Sequence, residues 1–199
     1  MPKPSHREKL LQVGMQVVHE RGFRGASVRD IVQAAGVPQG SFTNHFASKE
    51  AFGLEVVERY AAQADTAMRQ TLRNEHLPPL QRLRAFIERS KTGFAEDGLR
   101  NGCLLGNFSA EANDCGEPLR GRVVAALADM QDALAFCLRA AVSGGELAPS
   151  TDCDGTAEFV LAALQGATLL AKAQRSPRPL ERFEDVLFER VLERATPVR

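Results

Sequence analysis

Cysteine is scarce, and Cys103, Cys115, Cys137 and Cys153 stand 12, 22 and 16 residues apart, with no C-x-x-C pair and no histidine nearby. That spacing argues against a zinc site and a disulfide scaffold. His6, His19, His45 and His76 are equally scattered, so no metal is expected, and no pattern calls for a cofactor. No apolar run approaches the roughly 20 residues that a membrane span requires, and no charged-then-apolar leader opens the chain. A cytoplasmic location without a membrane partner is the expectation. Net charge is lacking too, since 25 Lys and Arg balance 25 Asp and Glu. The balance argues against a protein that coats nucleic acid along its length. No segment sustains period-two alternation and no internal repeat appears, so the expected fold class is all-α.

What is present is enough apolar material, 44% of 199 residues, for one or two packed domains. The charge is unevenly placed. Residues 1–50 hold seven Lys or Arg against four Asp or Glu, and the remainder carries the opposite excess of three. The basic end coincides with SVRDIVQAAGVPQGSFTNHFASK, Ser27 to Lys49, which reads as two short helices joined by a tight turn, with a third behind them. Ser27 and Asp30 have capping-box spacing, and Val28, Ile31, Val32 and Ala35 form one apolar face. Gly36 suits a positive φ at the helix end, and Pro38 suits a first helical position. The second helix is expected over about residues 39–46, with Phe42 and Phe46 inward and Gln39, Ser41, Thr43, Asn44 and His45 outward. Such a short polar face can enter the major groove of DNA. On local pattern alone, a DNA reader and an ordinary helical packing unit remain equal alternatives.

Around this stretch, Leu10, Leu11, Met15, Val17 and Val18 mark a first helix ending at Gly22. Ser48 caps a helix running to about Asn74, roughly 39 Å long, which would link the DNA-reading helices to the C-terminal part of the chain. Further helices are expected from His76-Leu77-Pro78-Pro79 to Gly98, over about residues 102–112, 119–142 and 152–175, and from Leu180 onward. The Ala- and Gly-rich helix at 152–175 and its C-terminal neighbour would pair with their copies in a homodimer or finish the monomer core.

The stretch REKLLQVGMQVVHERGFRGASVRDIVQAAGVPQGSFTNHFASKEAF, with the helices behind it, resembles the TetR family of bacterial transcriptional regulators. The resemblance implies a homodimer with a helix-turn-helix DNA-binding domain at residues 1–50 and a helical ligand-binding and dimerisation domain at 51–199. It also implies a repressor that leaves its double-stranded DNA operator when a small inducer binds. By position, Ser27, Val28 and Arg29 would meet phosphates. Pro38, Gln39, Gly40, Ser41, Thr43, Asn44 and His45 would lie on or near the major groove, and Lys49 would pair with a phosphate. Where the family often has tyrosine, this chain has Thr43, which shortens that phosphate contact or passes it to Asn44.

GCLLGNFSAE and LLAKAQRSPRPLE are similar to the branch of N-ethylmaleimide-responsive repressors, whose members sense electrophiles through a thiol. In that reading Cys103 is the sensing thiol and Lys172 its basic neighbour, with Cys103 expected in the first turn of a helix, where backbone N–H groups favour a thiolate. The competing reading is a packed, inert cysteine. Cys115, in a loop, is the candidate resolving partner. A reversible apolar inducer is the alternative to an electrophile, in a pocket lined by Phe86, Phe94, Phe108, Leu134 and Phe136. An enzyme with a Cys103 nucleophile lacks a candidate base, because no histidine lies beyond His76. A helical adaptor is the other rival.

Overall fold

The computed structural model describes residues 5–192, which form helices and turns with no strand among them. They divide into two compact units, the first reaching to Ala62 and including Cys103–Ala126, the second comprising Gln63–Gly102 and the residues from Leu127 onward.

In the first unit α1 (His6–Arg21) starts at Ser5, whose hydroxyl accepts the Glu8 N–H, and ends at Gly22 with φ 78°. Helices α2 (Val28–Ala35) and α3 (Ser41–His45) form the helix-turn-helix. The capping box is made in both directions: Ser27 Oγ accepts from Asp30 N at 3.1 Å and Asp30 Oδ2 accepts from Ser27 N at 3.0 Å. The Ser27 hydroxyl and the Ser27 backbone N–H, both donating to Asp30 Oδ2, and the Arg21 guanidinium 2.8 Å away hold the Asp30 carboxyl below its usual range. Gly36 takes the left-handed conformation at φ 59° that closes α2.

Helix α4 (Lys49–Gln70) contributes residues up to Ala62 to this unit. Its Ser48 Oγ accepts the Ala51 N–H at 3.0 Å. Phe42, Phe46 and Phe52 form a ring cluster with centroids 5.1–5.4 Å apart. Beside it, a Cβ at Gly14 would stand 2.6 Å from the Phe52 ring and 2.8 Å from Ile31, so α1 packs this closely only as glycine. Helix α6 (Leu104–Ala110), a 3₁₀ turn at Ala112–Asp114 and the start of α7 (Glu117–Ser143) complete the unit.

The second unit holds the end of α4, α5 (Pro79–Glu96), the rest of α7, α8 (Cys153–Gln174) and α9 (Arg178–Val186), which continues through a π turn at Leu187–Val191. Its core is built from Leu83, Phe86 and Ile87 of α5, Leu134 and Leu138 of α7 and Val160 of α8. A partly buried ion network ties α5 to α9: Glu184 accepts from Lys91 at 2.8 Å and from Arg84 at 3.2 Å, and the Arg84 guanidinium stacks 3.7 Å from the Phe188 ring.

Three boundaries differ from the sequence expectation. Helix α3 covers only Ser41–His45 because Pro38 to Ser41 closes a turn first, Ser41 N donating to Pro38 O at 2.9 Å. Helix α4 stops at Gln70 rather than near Asn74, where Arg73 N turns back to Met68 O at 2.9 Å. Cys103 is the N-cap residue of α6 and not part of its first turn.

Candidate nucleic-acid interface and sensor thiol

Gln39, Thr43, Asn44 and His45 are exposed along α3 and the turn before it, as are Pro38 and Gly40. The opposite face of α3 is anchored by Phe42 and Phe46, both nearly inaccessible. Thr43 Oγ1 donates back to Gly40 O at 3.1 Å, which leaves its methyl group as the rest of its short side chain. Ser27 and Arg29 are exposed at the start of α2, and Val28 is half-buried. Lys49 is half-buried; its ammonium donates to Arg24 O at 3.3 Å and lies 4.8 Å from the Phe23 ring centroid.

Ser41 is a correction. Expected outward with its neighbours, it is buried, and its Oγ faces His6 Nδ1 of α1 at 3.3 Å. With α3 little more than one turn long, its phase is set by where Phe42 and Phe46 must sit, and that places Ser41 against α1. No local signal could have identified His6 as its partner, because 35 residues separate them.

Cys103 is half-buried in the first unit. The Tyr60 hydroxyl, on α4, donates to its Sγ at 3.9 Å. Burial and the adjacent thiol hold the Tyr60 phenol well above its usual range, so it serves as a neutral donor. Tyr60 was legible only as one more apolar position of α4. The other thiols are pushed up by burial, Cys137 to about 12 and Cys115 and Cys153 less far. For Cys115 the carboxylates of Glu111 and Asp114 add to the effect, which works against a role as resolving thiol.

Lys172 is half-buried on α8, its Cδ 3.6 Å from where a Gly102 Cβ would stand. The five residues expected around an apolar pocket fall in both units. Phe86, Phe94 and Leu134 are buried in the second unit, whereas Phe108 is buried in the first, 5.3 Å from the Phe23 ring. Phe136 is 39% exposed on α7; α7 is apolar on more than one face, so its periodicity does not say which face turns outward. Among the described residues no group of three His, Cys, Asp or Glu side chains is placed to hold a metal ion.

The family of bacterial regulatory proteins called tetR matches residues 10–56, and the tetracyclin repressor-like C-terminal domain matches residues 79–187. The transcriptional repressor DhaR of Mycobacterium sp. (strain GP1) is 34% identical over 96% of this chain and 95% of its own length. The repressor NemR of Escherichia coli K12 is 33% identical over 88% of both chains. Among solved structures, a regulatory protein TetR from Rhodobacter sphaeroides superposes with a TM-score of 0.87 at 33% identity, covering 91% of this chain and 96% of that one. The reduced form of E. coli NemR gives 0.86 at 30% identity, covering 97% and 99%. With its helix-turn-helix and its C-terminal helices both matched, the chain belongs to the TetR family of bacterial DNA-binding transcriptional regulators.

Proposed function

We propose that the chain is a homodimeric cytoplasmic repressor that reads an operator duplex with α3 and leaves it when a small molecule or an electrophile acts on the protein. The observation that carries this reading is the outward row of Gln39, in the turn before α3, and Thr43, Asn44 and His45 of α3, a helix anchored by Phe42 and Phe46. Amide, hydroxyl and imidazole groups so placed can pair with base edges. Ser27, Val28 and Arg29 meet phosphates at the N-terminus of α2, Pro38 and Gly40 let the backbone approach the groove, and the ammonium of Lys49 has donors to spare beyond Arg24 O. Ser41 acts through packing. Residues 1–50 form the DNA-binding part and 51–199 the ligand-binding and dimerisation part, with α4 continuous across that boundary. No helix among the described residues is long and apolar enough to cross a membrane.

The test is selection from a random duplex library. The protein is expected to enrich a site with two half-sites, and if it neutralises about six to ten phosphates, its affinity falls about 10³-fold or more between 50 and 200 mM salt. Recovery of no sequence would sink the proposal.

The Tyr60–Cys103 contact favours an electrophile as the releasing signal, in line with the resemblance of GCLLGNFSAE and LLAKAQRSPRPLE to the N-ethylmaleimide-responsive repressors. A Cys103 thiolate adds to the double bond of a maleimide: the S–C bond forms and the neighbouring carbon takes up a proton. N-ethylmaleimide is expected to release wild-type protein from the selected duplex and to leave Cys103→Ser bound, with unchanged affinity before treatment. Equal release of both proteins would rule out Cys103 as the sensing thiol and favour a reversible apolar ligand bound near Phe86, Phe94 and Leu134.

A further inference from the structure

One side of α6 and of the turn after it packs on the end of α1 and the loop that leads into the helix-turn-helix. Asn107 Nδ2 donates to His19 O at 3.4 Å. Phe108 stacks on Phe23. Glu111 Oε2 accepts the Arg24 backbone N–H at 2.8 Å, and Asp114 Oδ2 meets the Arg24 guanidinium at 2.8 Å. Positions 107, 108 and 111 share a helical face, and the 3₁₀ turn carries Asp114 onto it. The fit is close, since a Cβ at Gly22 would stand 2.2 Å from Glu111 Oε1. Gly22 therefore leaves room for the carboxylate as well as adopting its positive φ. The Arg24 N–H lies between α1 and α2, outside both helices, and finds its acceptor 87 residues away.

We propose that Glu111 and Asp114 form a carboxylate clamp on the α1–α2 loop and that Glu111 is a positioning residue for DNA binding, setting the pose of α2 and α3 from the side of α6. This rests on the DNA-reading function above. The clamp touches neither the outward row of α3 nor the phosphate-facing start of α2, so it acts on the geometry of the helix-turn-helix and not on its contacts.

The sign of the effect separates the clamp from simple electrostatics. Removing two negative charges beside a DNA-binding unit should tighten binding if charge alone mattered. With a clamp, Glu111→Ala/Asp114→Ala binds the duplex selected by wild type about tenfold more weakly. Its salt slope stays the same, and exchange of the Arg24 amide is faster. Glu111→Gln keeps an acceptor for the Arg24 N–H and stays within about threefold of wild type. It also serves as the folded control should the double variant unfold. Gly22→Ala reaches the same contact from the other side: it weakens binding, and adding Glu111→Ala to it gives no further loss. Equal or tighter binding by the double variant with the Arg24 amide released, or strictly additive losses for the Gly22 pair, would overturn the clamp. Failure of wild type to select any duplex would instead overturn the DNA-reading function, and the clamp with it.

Discussion

Phe52→Ala is expected to abolish sequence-specific DNA binding and to lower the stability of the first unit by roughly 3–5 kcal/mol. Phe52 is wholly inaccessible, with the rings of Phe42 and Phe46 5.4 and 5.1 Å away and Gly14 of α1 against its edge. Truncation removes both the buried apolar surface and the partner of the two anchors that orient α3. Collapse cannot fill the gap cheaply, because α1 and α2 already meet at glycine distance. Since whole domains are stable by only about 5–15 kcal/mol, the loss leaves little to hold a five-residue helix. Denaturant unfolding with duplex titration checks this. A variant unfolding near the wild-type midpoint and still selecting the same duplex would mean that the ring cluster does not hold α3 in place.

Leu169→Glu/Leu170→Glu is expected to convert the homodimer to monomers and to weaken operator binding by about 100-fold or more. On α8, Leu169 and Leu170 are 64% and 53% exposed and Phe159 is 50% exposed, on the face that also carries Gly166. Exposed apolar side chains grouped in this way mark an interaction surface, and in a two-fold dimer each leucine counts twice. At about 1.5–3 kcal/mol for each fully buried leucine, four of them supply up to about 6–12 kcal/mol, and the substitution adds four carboxylates in close proximity. A monomer engages one half-site and loses the gain from simultaneous binding. Sedimentation at micromolar concentration distinguishes the outcomes: a persistent dimer would place the interface elsewhere, for instance around the exposed Phe136.

The amino-acid sequence by itself determined everything whose partners lie within a few residues. The Ser27–Asp30 capping box, the left-handed Gly36, the inward pair Phe42 and Phe46 and the cap at Ser48 are all made over three or four positions. The all-α class and the helix-turn-helix came from the same local chemistry, and the family from the resemblance of the stretch around Ser27 to Lys49. Tertiary structure decided what depends on contacts tens of residues apart. Ser41 turned inward because α1 meets α3 there, and Phe136 stayed outside because α7 offers more than one apolar face. Cys103 gained Tyr60 from α4, 43 residues away. Glu111 and Asp114, which local pattern marks only as polar residues ending a short helix, met Arg24 across the unit. Periodicity reports which side of a helix is apolar; it does not report which element arrives to cover that side, and the clamp on the helix-turn-helix is made of such arrivals.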